Sequence, residues 1–126
     1  MKRKTTVYIV DDDRAIIRAL KKLAEVIGLG AEGYESAEAF LEGYQPECPG
    51  CLILDMSLPG MSGLELQAEL KNRSLDLPIV FITGHGAEHI RAQAMSNGAI
   101  AVLDKPCRFA QLSQAIQKAL ESVGRA

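Results

Sequence analysis

Asp55 closes the apolar run Cys51-Leu52-Ile53-Leu54, just ahead of Ser57-Leu58-Pro59-Gly60. Val7-Tyr8-Ile9-Val10 ends in the same way on Asp11-Asp12-Asp13. Two further runs follow: Ile79-Val80-Phe81-Ile82 ends on Thr83, and Ala99-Ile100-Ala101-Val102-Leu103 ends on Asp104-Lys105-Pro106. Four short apolar strands thus each deliver a polar group at the C-terminal end. In an open α/β sheet that edge is where ligands bind. Carboxylates, a hydroxyl and an amine gathered there suit a metal ion and a phosphoryl group.

The carboxylates set the chemistry. Two or three of them in one crevice repel and raise one another's pKa unless a cation intervenes. Oxygen ligands beside an anionic substrate are the usual setting for Mg²⁺, with Mn²⁺ as its substitute. A carboxylate can itself act as a nucleophile and form an aspartyl phosphate. Phosphoryl transfer is mostly positioning and neutralisation of equatorial charge. The metal would take one phosphoryl oxygen, the Lys105 ammonium a second, and the Thr83 hydroxyl with adjacent backbone N–H groups a third. Each residue alone has a plainer explanation. Asp often caps a helix after a strand, and Asp13, ahead of a helical pattern, fits that role. No helix starts at Asp55. A lone lysine is usually solvated and a lone threonine usually ends a strand; their joint placement is the signal.

The elements that must position these groups alternate strand and helix. After residues 7–10, Ile16, Ala19, Leu20, Leu23, Ala24 and Ile27 recur at helical spacing, with Asp13 as N-cap and Gly28 as stop. A weak strand follows at about residues 31–34, then a short helix capped by Ser36. The third strand is 51–54, and its loop leads to a helix from Gly63 to about Asn72. Pro78 opens the fourth strand and Gly84-His85-Gly86 breaks it. A helix with Ile90, Ala94 and Met95 ends at Asn97-Gly98. The fifth strand, 99–103, precedes a last helix carrying Phe109, Leu112, Ile116, Ala119 and Leu120. Five βα units predict a doubly wound parallel sheet with helices on both faces. Strand order 2-1-3-4-5, the flavodoxin-like arrangement, puts a switch point between strands 1 and 3. Asp11, Asp12 and Asp55 meet there. With 126 residues and no linker, repeat or low-complexity stretch, residues 1–126 read as one domain.

Bulk properties exclude several classes. A net charge of −2 without a basic stripe argues against nucleic-acid binding by this chain. Lys2-Arg3-Lys4 has no apolar segment behind it and is no signal peptide. No run reaches the roughly 18 residues of a membrane span. The expectation is a cytoplasmic protein. Cys48-Pro49-Gly50-Cys51 has the C-x-x-C spacing of a redox pair or half a zinc site. It precedes a strand rather than a helix N-terminus, so Cys51 is expected in the core. Cys107, His85 and His89 lie in other segments, and the two histidines read as a solvated helix start.

The whole pattern resembles a response-regulator receiver domain over nearly the full chain. It is carried by Val7-Tyr8-Ile9-Val10-Asp11-Asp12, by the stretch from Leu52 through Asp55-Met56-Ser57-Leu58-Pro59-Gly60-Met61-Ser62-Gly63 to Glu65, by Pro78 through Thr83-Gly84-His85-Gly86, and by Leu103-Asp104-Lys105-Pro106. The Leu-Pro-Gly-Met-Ser-Gly loop and Thr-Gly-His-Gly are most similar to the FixJ-type branch. The resemblance implies that Asp55 accepts phosphate from a sensor histidine kinase or a phosphotransfer protein. It implies that Asp12, Asp55 and the Ser57 main-chain carbonyl hold Mg²⁺, with Asp11 acting through a water or hydrogen bond. Lys105 would pair with the phosphoryl group, and the Lys105–Pro106 bond would be cis. Thr83 would report the phosphate to the face formed by helix 4, strand 5 and helix 5. Ser57 and His85 occupy the positions that tune acyl-phosphate hydrolysis.

One residue departs from the family. Relatives commonly carry a Tyr or Phe three residues before the lysine, which swings inward on activation. Here it is Val102, β-branched and stiff at χ1, so the switch would rest on Thr83 and backbone shifts. The resemblance also allows homodimerisation on phosphorylation and, in a longer parent, a DNA-binding output domain. Three competing readings remain. A haloacid-dehalogenase-type phosphatase needs a second Asp two residues after the nucleophile, where this chain has Ser57. A pseudo-receiver would bind without phosphate, and a redox module would use Cys48 and Cys51.

Overall fold

The computed structural model describes residues 5–46, 49–84 and 88–123. In chain order the elements are β1 (Thr6–Val10), α1 (Arg14–Val26), β2 (Gly30–Tyr34), α2 (Ala37–Gly43), β3 (Gly50–Asp55), α3 (Gly63–Asn72), β4 (Ile79–Thr83), α4 (Glu88–Ser96), β5 (Ala101–Asp104) and α5 (Phe109–Val123). The strands are all parallel, in the order β2-β1-β3-β4-β5. This is the doubly wound, flavodoxin-like arrangement expected from the sequence.

Alternation along the strands separates two cores. Tyr8, Val10, Leu52, Leu54, Phe81 and Val102 face one side and pack with Phe40 of α2, Leu66 and Leu70 of α3 and Ala94 of α4. Val7, Ile9, Cys51, Ile53, Val80 and Ile82 face the other, against Leu20 and Leu23 of α1 and Leu112 and Ile116 of α5. Because β1, β3 and β4 are buried on both faces, their sequences read as unbroken apolar runs. Met95 and Phe109 share helical spacing with core residues yet stand exposed, so spacing places them on their helices without placing them in the core.

Helix ends follow local chemistry. The Asp13 side chain accepts from the Ala15 amide, and Ser36 Oγ from the Ala39 amide, as their cap positions predict. The fifth strand begins two residues later than expected and reaches Asp104. The reason is the end of α4: Gly98, at φ 104°, donates to the Met95 carbonyl, and Ala99 donates to Ala94. Those two bonds form a Schellman motif. Ala99 therefore belongs to the helix stop, and its apolar character reflects burial there rather than a strand. α1 ends the same way at Gly28.

Candidate functional site

Parallel pairing of Val10 with Leu54 places the ends of β1 and β3 side by side. Asp11 follows the first and Asp55 closes the second; their exposures are 0% and 3%. Each carboxylate is fixed by the amide two residues on, Asp13 N–H donating to Asp11 Oδ1 (2.8 Å) and Ser57 N–H to Asp55 Oδ1 (3.1 Å). The second oxygens face one ammonium: Lys105 Nζ lies 3.3 Å from Asp11 Oδ2 and 3.4 Å from Asp55 Oδ2. Lys105 arrives from the end of β5, where its amide donates to the Thr83 carbonyl (2.7 Å) and its bond to Pro106 is cis.

The loop after Asp55 is held from below. A Cβ at Gly63 would stand 2.7 Å from the Asp55 carbonyl oxygen, so only glycine lets α3 start this close to the site. Ser62 and Glu65 form a reciprocal capping box, Glu65 N–H donating to Ser62 Oγ and Ser62 N–H to Glu65 Oε1. That Ser-x-x-Glu spacing is a signature visible in sequence. Glu38 of α2 anchors the same loop by accepting from the Met61 amide (3.1 Å). Nothing in the spacing of Glu38 announces that contact.

Asp11, Asp12 and Asp55 each offer an oxygen, and the three atoms lie within 4.8 Å of one another. Asp12 is exposed, which leaves one side open to solvent. An all-oxygen set with an open side suits a hard, partly hydrated divalent cation. Asp11 Oδ2 adds an independent sign of fit: it is buried and makes no hydrogen bond, having only the ion pair with Lys105. Burial, with the Asp55 charge adding to it, pushes the Asp11 carboxyl up against the opposing pull of the Asp13 amide and Lys105. Burial alone would lower Lys105, but the combined attraction of Asp11 and Asp55 outweighs it and holds the ammonium above its ordinary range. Three carboxylates face one amine, so the crevice is short of positive charge.

Thr83 is buried at the end of β4, paired in register with Asp104. Beside it lies a cavity of about 190 Å³ lined by Met56, Ser57, Ser62, Leu64, Gly84 and Ile90. Ser57 is exposed, and Val102 is buried in the same core as Phe81 and Ala94. His85 and Cys48 lie outside the described residues, while His89 is exposed on α4. Cys51 is fully buried, and burial pushes its thiol up to about 12, the reverse of what a redox nucleophile needs.

The sequence model of the response regulator receiver domain matches residues 7–117. The chain belongs to the response-regulator receiver family. This receiver domain is 42% identical over 119 residues to the response regulator protein TodT of Pseudomonas putida, covering 94% of this chain and 52% of that protein. Among solved structures, the response regulator StyR superposes with a TM-score of 0.91 at 43% identity, over 97% of this chain and 62% of that one. FixJ-N gives 0.85 at 34%, over 95% and 96%, in keeping with the FixJ-type likeness. The chain spans about half the length of TodT, and relatives of similar span include transcriptional regulatory proteins. Family membership also removes the haloacid-dehalogenase alternative. Among the described residues, no helix is long and apolar enough to cross a membrane.

Proposed function

We propose that residues 1–126 act as one phosphoacceptor unit, in which Asp55 takes a phosphoryl group from a histidine of a sensor kinase or phosphotransfer protein. The observation that carries this reading is the position of Lys105 Nζ, 3.3 and 3.4 Å from the inner oxygens of Asp11 and Asp55. In the transfer, an Asp55 carboxylate oxygen forms the new O–P bond while the P–N bond to the donor imidazole breaks. The imidazole leaves with the electron pair and takes up a proton. Lys105 then turns from carboxylate to phosphoryl oxygen, and the Thr83 hydroxyl and the amides after Asp55 meet the remaining charge.

Asp12, Asp55 and the Ser57 main-chain carbonyl would hold Mg²⁺ or Mn²⁺, with Asp11 supporting it through a water or hydrogen bond. When bound, the ion supplies the positive charge that three carboxylates and one amine lack. The unit promotes its own phosphorylation and dephosphorylation but turns over no external substrate. By the family resemblance, Ser57 and His85 hold the two sequence positions that tune hydrolysis of the acyl phosphate. Thr83 and Val102 are the switch positions for the surface of α4, β5 and α5. That surface would serve homodimerisation or a DNA-binding output domain in a longer cytoplasmic parent.

The test is intact-protein mass spectrometry after incubation with acetyl phosphate, with and without Mg²⁺. A Mg²⁺-dependent gain of one phosphoryl group, absent in Asp55→Asn, is the expected result. Labelling of Asp55→Asn at the wild-type level would show that another residue is the acceptor.

A further inference from the structure

Val102 raises a question of transmission. It is β-branched, buried among Phe81 and Ala94, and without the reach of an aromatic side chain. Some other group must tie the state of Asp55 to α4. One side chain spans that gap. Arg91, on α4, donates through Nη1 to the Val102 carbonyl (2.6 Å) and through Nη2 to Asp104 Oδ1 (2.5 Å). The guanidinium thus grips β5 at two points two residues apart. Lys105 is the next residue, and its amide is bonded to the Thr83 carbonyl.

We propose that Arg91 is the coupling residue of this receiver domain: its two-pronged hold on Val102 and Asp104 moves α4 in step with the strand end that carries Lys105. This rests on the phosphoacceptor reading above. Before transfer, Lys105 bridges the two buried carboxylates. A phosphoryl group on Asp55 draws the ammonium outward, and the chain at Asp104–Lys105 must follow. Arg91 converts that shift into a displacement of α4, because a planar fork transmits direction where a single point charge does not. Thermodynamic reciprocity adds a consequence: whatever grips α4 in the shifted position also favours phosphoryl on Asp55.

The fold rests on the two apolar cores, of which Arg91 is no part. Its pair with Asp104 is half-exposed, the side chains being 30% and 58% accessible, so its loss should cost little next to those cores. The reach to Asp104 also leaves the reacting atoms untouched. Arg91→Ala should therefore fold and be labelled like the wild type while losing transmission.

The experiment compares ¹⁵N-labelled wild type, Arg91→Ala and Arg91→Lys by NMR, with Mg²⁺, before and after excess acetyl phosphate. Labelling of each is followed by intact mass. The expected result is equal phosphoryl gain in all three, with the shift changes of α4 amides at Ala92–Ser96 cut by roughly half or more in Arg91→Ala. Amides next to Asp55, such as Met56 and Ser57, should respond fully in every protein. Arg91→Lys should fall between, since it keeps the charge but not the fork. α4 changes of full size in a labelled Arg91→Ala would overturn the coupling role alone. A wild type that gains no phosphoryl group would overturn the reading beneath it as well.

Discussion

Both ends of the sheet carry a hollow, and the larger one is at the wrong end. Near the start of β4 and the ends of α3 and α4, a cavity of about 520 Å³ is lined by Gln67, Leu70, Leu77, Ile79, Asn97 and Ile100 among others. At the opposite end, the cavity beside Thr83 holds only about 190 Å³. The difference lies in what the walls oppose to one another. In the large hollow the buried polar group is Gln67, whose Nε2 donates to the Ala94 carbonyl and whose Oε1 has no hydrogen bond. An unpaired amide oxygen is a cost of about 1–3 kcal/mol, and a water relieves it. At the Asp55 end, burial, like-charge repulsion and one shared amine act on the same few atoms. Such a site is ready for added charge, whereas the other is merely roomy.

The sharpest way to break this contrast is to remove the amine. Lys105→Met should lower the rate of labelling by acetyl phosphate about 100-fold, the usual loss when one donor to a developing anion is deleted. Time-resolved intact mass reads it. A rate near wild type would mean that Lys105 only neutralises the resting carboxylates.

Removing one carboxylate should act oppositely on stability. The Asp11 carboxyl is pushed up in the folded chain, mainly by burial. A raised folded pKa means that the group's favourable contribution is complete below its unfolded value of about 3.8 and is lost as pH rises through the folded value. At neutral pH without metal, charged Asp11 therefore costs stability. Asp11→Asn should be more stable than the wild type in urea unfolding under those conditions. The gain should vanish below pH ~4. Mg²⁺ should raise the wild-type midpoint by binding only the folded state and should close the gap to the variant. A variant less stable than wild type in metal-free buffer at pH 7 would refute the electrostatic account of the crevice.

The far end should barely respond. Gln67→Leu removes the orphan oxygen along with one hydrogen bond, so stability should change by less than about 1.5 kcal/mol. Labelling should be unchanged. A large loss of labelling would tie the two ends together and undo the contrast between them.

Much of the site was readable because its determinants are local. Apolar runs ending on Asp11, Asp55, Thr83 and Lys105 reveal both the strands and the edge where they converge, since a strand buried on two faces permits no charge until it ends. The residues that hold the site are another matter. Glu38 reaches Met61 across 23 residues, and Arg91 reaches Val102 and Asp104 from another element. No periodicity records such contacts. Phe109 and Met95 mislead for the related reason that helical spacing gives a face but not whether anything covers it.

The most direct measurement is to trap the acyl phosphate where it forms. After labelling with acetyl phosphate and Mg²⁺, borohydride reduces an aspartyl phosphate to homoserine, which peptide mass spectrometry locates. The account predicts homoserine at position 55 and none at 11, 12 or 104. Homoserine at Asp11 or Asp12 in place of Asp55, or phosphoryl gain with no reducible aspartate, would contradict it.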